Sequence, residues 1–222
     1  MAFLNRIFGN SRSHSQSSQL QNIDFASGLG DSAWILHGLA RSLKPEVCVE
    51  IGAARGKSAC YVGTALKENG HGKLYSIDPH TPTAWNDLES ADSYTIFQAN
   101  ITLAGVEPFV EVVRDFSGQV GATWNIEIDV LFIDGDHSYE GVKKDWEIFS
   151  PHVTEFGVVI FHDTLWDLQP DPRYSRADMG IPKFVEELRQ QGYPVITINK
   201  NFGVSLVQPT RSGIALAKPS TK

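Results

Sequence analysis

At 222 residues, 41% hydrophobic and 20% charged, the chain is long enough for one domain with a full core and has the composition of a soluble globular protein. A net charge of −7 argues against a general nucleic-acid binder, which carries a basic face, and no stretch approaches the roughly 20 apolar residues of a membrane span. Cys48, in an apolar run, and Cys60, in an expected helix, read as reduced packing residues, and with no signal-peptide pattern a cytoplasmic location is the default expectation.

Met1 to Phe8 places Phe3, Leu4, Ile7 and Phe8 at helical spacing, as a frayed terminus or a segment docking on a partner subunit or membrane surface. Residues 9–22 are polar and Ser/Gln-rich, so 1–22 reads as a flexible arm, which leaves room for a homodimer. The domain is expected over 23–209. Asp31-Ser32 can cap a helix running to about Leu43. A β-rich run from Val47 breaks into a glycine-containing turn before a helix from Ser58 to Leu66. Leu74 to Asp78 is a strand, Ser90 to Gly105 a helix, Phe109 to Val113 a strand and Gly118 to Thr123 a short helix.

Two apolar runs then end abruptly in acids and a histidine: Asp129-Val-Leu-Phe-Ile-Asp134-Gly-Asp136-His137, and Val158-Val-Ile-Phe-His162-Asp163. Apolar runs of this length read as buried strands, with a helix from Tyr139 to Phe149 between them. A parallel crossover brings both strand ends to one sheet edge, so Asp134, Asp136 and His137 should meet His162 and Asp163 where open α/β sheets bind ligands. Residues 165–180 have no clean period and read as a lid or binding loop. Pro182 suits the first turn of a helix over 183–191, and Val195 to Ile198 and Val204 to Val207 form a hairpin, with a tail at 210–222. The fold class is α/β: a doubly wound, mostly parallel seven-stranded sheet with a C-terminal antiparallel hairpin.

Glu50-Ile-Gly52-Ala-Ala-Arg-Gly56-Lys-Ser58 follows a strand and precedes a helix, whose start offers free N–H groups to a carboxylate or phosphate. Its Gly-x-x-x-Gly spacing matches neither the dinucleotide fingerprint nor the phosphate loop, and a packing turn is the competing reading. Asp78, at the end of the second strand, can accept from ribose hydroxyls or cap the Asp-Pro turn.

These residues carry a resemblance. Glu50-x-Gly52-x-x-x-Gly56-x-Ser58, Asp78 and Asn100-Ile-Thr-Leu-Ala-Gly-Val resemble class I S-adenosylmethionine-dependent methyltransferases, with their Rossmann-like sheet. Phe132-Ile-Asp-Gly-Asp-His-Ser-Tyr-Glu-Gly-Val and Phe161-His-Asp163 resemble the metal-dependent O-methyltransferase branch, which includes catechol-type and macrolide-sugar-type enzymes. The resemblance covers about Asp31 to Val207. It implies methylation of a small-molecule hydroxyl on a sugar, phenol or other natural-product acceptor. It implies Glu50, Gly52, Ala53, Gly56 and Ser58 at the methionine end of S-adenosyl-L-methionine, with Asp134 also beside the cofactor. Asp78 would take the ribose, and Asp115, Phe116 and Ser117 would border the adenine.

An alcohol or phenol must lose its proton to accept a methyl group, through a divalent cation, a general base, or both. The resemblance puts Asp134 and Asp163 on a cation, and oxygen ligands favour Mg²⁺, with Mn²⁺ or Ca²⁺ as alternatives. His162 stands where related enzymes often carry a second acid; its imidazole either softens the site towards Mn²⁺, Fe²⁺ or Zn²⁺ or turns away. His137 and Asp136 compete as base, His137 being favoured by its ordinary pKa, while Asp136 or Ser138 can instead cap the following helix. His80, Trp166, Tyr174 and Arg176 are candidate acceptor contacts, and Trp85 shares a loop with His80. Lys143, Lys144, Asp145 and Glu147 read as a solvated helix face. The competing functions are an S-adenosylmethionine-binding scaffold, a metal-independent methyltransferase and a nicotinamide-dependent oxidoreductase, the last disfavoured by the glycine spacing.

Overall fold

The structure, a computed structural model, describes residues 20, 23, 25–82, 85 and 93–209. The expected arm at 1–22, apart from Leu20, and the expected tail at 210–222 lie outside the described residues, as does Ser90 at the start of its helix. Among the described residues no helix is long and apolar enough to cross a membrane.

In chain order the main elements are α1 (Ala33–Leu43), β1 (Val47–Ile51), α2 (Lys57–Asn69), β2 (Lys73–Ile77), α3 (Ser93–Ala104), β3 (Val110–Val113) and α4 (Ser117–Gly121). Then come β4 (Ile128–Ile133), α5 (Tyr139–Phe149), β5 (Val153–His162), α6 (Ile181–Gln190), β6 (Val195–Ile198) and β7 (Val204–Val207). The seven strands form one sheet in the order β3-β2-β1-β4-β5-β7-β6. The first five pair in parallel and β7 runs antiparallel to both β5 and β6, as the hairpin reading requires.

Strand side chains alternate between the two faces, and the core divides accordingly. Cys48, Leu74, Val130, Phe132 and Ile160 pack with α1, α2 and α3 on one face. Val49, Ile77, Leu131, Ile133, Val159 and Phe161 pack with α5 and α6 on the other. Burial on both faces is why these strands read as continuous apolar runs. In α6 the spacing of Ile181, Phe184, Val185 and Leu188 supplies the inward stripe, and Pro182 sits in its first turn. Leu20, inside the stretch read as an arm, is buried in the first core.

Three local expectations change. Ser32 makes no cap hydrogen bond; a 3₁₀ turn, Gly30–Ser32, precedes α1, and the Ser32 hydroxyl donates to Lys200 O across the molecule. β5 begins at Val153 rather than Val158, with a register shift against β4 and Phe156 exposed beside it. Asp145 is buried, not solvated, because it shares the inward stripe of α5 with Val142, Trp146 and Phe149. The two buried cysteines are free, as expected.

Strand order reverses between β1 and β4, the switch point where open α/β sheets bind ligands. There the backbones come unusually close. A Cβ added to Gly52 (φ +86°) would lie 2.2 Å from the carbonyl oxygen of Asp134, so only glycine fits the turn at this point. A Gly52→Ala substitution is expected to lower unfolding free energy by more than about 2 kcal/mol in urea titrations, since it combines backbone strain with a backbone clash. Unchanged stability would show that β1 and β4 do not approach this closely.

Candidate functional site

At the carboxyl ends of β4 and β5 the register Ile133↔Phe161 places Asp134 beside His162, and Asp163 and His137 complete a quartet. His162 Nδ1 lies 3.2 Å from Asp134 Oδ1 and 3.1 Å from Asp163 Oδ1. His137 places Nε2 3.4 Å from Asp134 Oδ1 and Nδ1 3.3 Å from Asp163 Oδ2. Each imidazole thus stands between the same two carboxylates.

The orientation of His162 has a definite cause. Its Nε2 lies 2.9 Å from the carbonyl oxygen of Asn201, which can only accept, so Nε2 carries the hydrogen and Nδ1 faces the acids. Asn201 is held there by the β6–β7 turn, in which Asn201, Phe202 and Gly203 all have positive φ, and its side chain accepts from Ser32 N at 3.2 Å. Asp163 is itself left-handed at φ +58°, a conformation that costs a non-glycine residue on the order of 1–3 kcal/mol and concentrates at functional sites.

The electrostatics follow from burial opposed by pairing. Burial works against charge on His162, yet the Asp134 and Asp163 carboxylates hold it up to about 9. Burial likewise works against charge on His137, and the same carboxylates hold it above its ordinary value. Asp134 is pulled down by the two imidazoles despite burial. Asp163 is pushed up to about 6 by burial, helped by the Asp134 charge. Asp163 Oδ1 is buried and accepts no hydrogen bond. One ligand atom from each of Asp134, His162 and Asp163 lies within 4.8 Å of the others, a group able to hold a metal ion.

Asp136 is not part of this quartet. It is exposed, and its Oδ1 accepts from Ser138 N at 2.9 Å, while Ser138 Oγ accepts from Gly141 N at 3.1 Å as the cap of α5. Of the two rival bases, only His137 faces the acids.

On the adjoining turn, Asp78 organises the backbone. Its Oδ2 accepts from Ala53 N (2.8 Å) and Ala54 N (2.9 Å), and its Oδ1 from His80 N (2.7 Å), which leaves Oδ1 one further lone pair. Glu50 points beneath the turn, accepting from the hydroxyls of Ser58 and Ser76. Gly56 (φ +83°) abuts Phe97, and Asn100 Nδ2 donates to Arg55 O at 2.8 Å, which ties α3 to the turn. At the end of β3, Asp115 is bonded to the backbone N of Phe116, Phe116 is exposed, and Ser117 Oγ donates to the buried Asp145 at 2.6 Å.

The four candidate acceptor contacts separate. His80 is buried against Tyr94 and Phe97 with Nδ1 3.1 Å from Ser93 Oγ, which makes it part of the packing of α3. Trp166 stacks on Phe202 at 4.7 Å with Tyr174 edge-on, and with Arg176 they line a cavity of about 250 Å³. Ser76, Asp145 and Asn201 were missed by sequence reasoning. The helical phase of Val142, Trp146 and Phe149 could have shown Asp145 to be inward; Asn201 left no signal beyond its turn.

Comparison with known proteins gives a family match: a profile described as a methyltransferase domain matches residues 49–164, more than half of the chain. An uncharacterized protein of Sinorhizobium fredii is 28% identical over 143 residues, 60% of this chain and 15% of that protein. One from Acanthamoeba polyphaga mimivirus is 36% identical over 62 residues, 26% of this chain and 28% of that protein. The matches therefore span well under a third of these curated relatives. Among solved structures, an SAH-bound methyltransferase of Podospora anserina has a TM-score of 0.65 at 15% identity, covering 88% of this chain and 86% of that one. The O-methyltransferase TomG of Streptomyces achromogenes, in complex with SAM, has a TM-score of 0.58 at 18% identity, covering 90% of each chain. A Bacillus cereus O-methyltransferase in complex with SAH has a TM-score of 0.56 at 16% identity, covering 93% of this chain and 95% of that one. At these identities the structures establish a shared fold.

Burial raises Glu50 from an ordinary 4.5 to about 7. Between those values the folded state holds a proton that the unfolded chain has released, so stability falls as pH rises through that window. Replacing Glu50 with Gln, neutral throughout, is expected to remove this component, on the order of 3 kcal/mol, from the difference between pH 4.5 and 7.5. Urea midpoints of the two proteins across that range check it; equal pH slopes would contradict a carboxyl that burial keeps protonated.

Proposed function

The chain belongs to the methyltransferase-domain family, and from that premise we propose that it transfers the methyl group of S-adenosylmethionine to a hydroxyl of a small molecule, assisted by a divalent cation. The observation that carries this reading is the contact between Gly52 and Asp134, which sets the glycine turn directly against the acid–imidazole quartet. A donor held on the turn and a hydroxyl held on the quartet would then be neighbours. Family membership and this juxtaposition set aside the oxidoreductase reading.

On the turn, Gly52, Ala53, Gly56 and Ser58 frame the approach to the start of α2, whose free N–H groups suit the carboxylate of the donor. Glu50 holds the turn from below, while the remaining lone pair of Asp78 Oδ1 suits a ribose hydroxyl. Asp115, Phe116 and Ser117 lie at the same sheet edge, where they suit the adenine. When bound, S-adenosylmethionine supplies a methyl group on a positively charged sulfur. The solved complexes of the Streptomyces and Bacillus proteins with SAM and SAH support the same donor here.

Asp134, His162 and Asp163 would hold the cation, and the buried Asp163 Oδ1 that accepts no hydrogen bond fits that role. When bound, a divalent cation would lower the pKa of an acceptor hydroxyl and neutralise the two carboxylates that keep a proton on His137. With those carboxylates turned to the cation, a ring nitrogen of His137 that here faces Asp134 or Asp163 would be open to take the hydroxyl proton, the other staying paired to hold the ring. One imidazole in three ligands shifts the preference from Mg²⁺ towards Mn²⁺ or Fe²⁺. A second reading, a metal-independent methyltransferase, is favoured by the balance of two imidazoles against two carboxylates, which neutralises the quartet without a cation.

Three measurements separate these readings. Asparagine tolerates left-handed backbone, so Asp163→Asn should fold while losing the charge. It is expected to bind S-adenosylmethionine within threefold of the wild type by calorimetry and to lose at least 100-fold in methyl transfer to 3,4-dihydroxybenzoate. Mn²⁺ is expected to bind the metal-free protein at least tenfold more tightly than Mg²⁺, and His162→Asp to reverse that order. Full activity in the presence of EDTA would establish the second reading instead.

A further inference from the structure

Asp145 is a carboxyl in an otherwise apolar stripe, and the proposed chemistry leaves it unused. Only 3% exposed, it lies with Val142, Trp146 and Phe149 on the inward side of α5. Burial pushes the carboxyl up to about 6, with the bond from Ser117 working the other way. An apolar side chain would fill the same place without the cost of burying a carboxyl. What the carboxyl adds is a hold on Ser117, whose Oγ donates to Asp145 Oδ1 at 2.6 Å.

That hold acts on a helix that needs one. α4 spans five residues, Ser117–Gly121, too few for a stable helix on its own, and no side chain caps its start. It lies tight against α5: a Cβ on Gly118 would be 2.9 Å from Lys144 Nζ, and one on Gly121 would be 2.1 Å from Ile148 Cγ2. Glycines permit that closeness, but they do not fix where α4 sits along α5; the Ser117–Asp145 bond is directional and does. Immediately before Ser117 comes Phe116, extended at φ −72° and ψ 140°, with its side chain exposed at the ligand edge of the sheet. Asp78 N donates to Val113 O at 3.1 Å, so this segment begins beside the acid that suits the ribose. On the other side, Asp145 Oδ2 would lie 3.7 Å from a Cβ on Gly135, the residue after Asp134. Asp145 thus reaches both of the segments between which the base of the donor would lie.

We propose that Asp145 is a positioning residue for the methyl donor: through Ser117 it sets where Phe116 stands, and Phe116 presents its ring to the nucleoside base. Contact between planar rings depends on their offset and separation, so a segment free to shift along α5 would lose it. The inference rests on the donor reading only in taking the nucleoside to lie at this edge.

The test titrates the full chain by calorimetry with S-adenosylhomocysteine and with 5′-methylthioadenosine, which keeps the nucleoside and lacks the amino-acid end. Asp145→Leu and Ser117→Ala are each expected to weaken both probes at least tenfold and by the same factor. Ser117→Ala removes the bond from a half-buried position, so it serves even where Asp145→Leu does not fold. Asp145→Asn, whose amide oxygen still accepts from Ser117, is expected to stay within threefold of the wild type, which separates the bond from the charge. In a Phe116→Ala background, Ser117→Ala is expected to cost less than a further twofold. Unchanged affinity in Ser117→Ala, a loss confined to S-adenosylhomocysteine, a tenfold loss in Asp145→Asn, or a tenfold effect of Ser117→Ala without Phe116 would each overturn the proposal and leave the donor reading intact. If the wild type binds neither probe, the donor reading fails and the proposal falls with it.

Discussion

Two carboxylates and two imidazoles, all within ion-pair distance at the ends of β4 and β5, constrain everything around them. Burying a charge without a partner is costly, so each member of the quartet can be ionised only because the others are present. The protein accepts that cost at the one edge of the sheet where strand order reverses and a ligand has room. A core built for stability alone would gain by filling these positions with apolar side chains. The paired buried charges, the left-handed Asp163 and the buried Asp163 Oδ1 are features of the kind that concentrate at functional sites.

Around the quartet the fold acts as a set of positioning devices. The β6–β7 turn presents a carbonyl to His162 and so decides which ring nitrogen faces the acids, an outer contact of the kind that orients metal-binding histidines. The same turn is tied to the start of α1 through Ser32 and Asn201, and Asp31 pairs with Lys200 across that contact at 3.3 Å. On the other side, Asp78 gathers the backbone of the glycine turn and Glu50 holds it from beneath. The glycine turn and the quartet are thus supported by independent contacts that converge where Gly52 meets Asp134.

Much of this was legible in the sequence because apolar runs that stop abruptly at acids are informative. They located the strands, their common edge, and the meeting of Asp134, His137, His162 and Asp163. The glycine turn and Asp78 were legible for a similar reason, a strand–turn–helix order with an acid at the end of the next strand. Illegible features depended on side-chain direction or on distant contacts. Asp136 turns from the other acids to accept from Ser138 N at 2.9 Å, and Ser138 caps the following helix, a choice between the two that spacing alone does not make. Asp145 sat in a charged run that looked solvated, although its helical phase points inward. His80 looked open in its loop but packs on α3. The bond between His162 and Asn201 joins residues 39 apart through a turn with three successive positive-φ residues.

The central claim is that the quartet and the glycine turn form one reaction centre, with cation and methyl donor side by side. A crystal structure grown with Mn²⁺ and S-adenosylhomocysteine, with anomalous diffraction recorded at the manganese edge, addresses it most directly. The account predicts one anomalous peak ligated by Asp134, His162 Nδ1 and Asp163, and the sulfur of the nucleoside adjacent to it above Gly52. A peak elsewhere, or a nucleoside bound away from the turn while the quartet keeps its internal ion pairs, would contradict it.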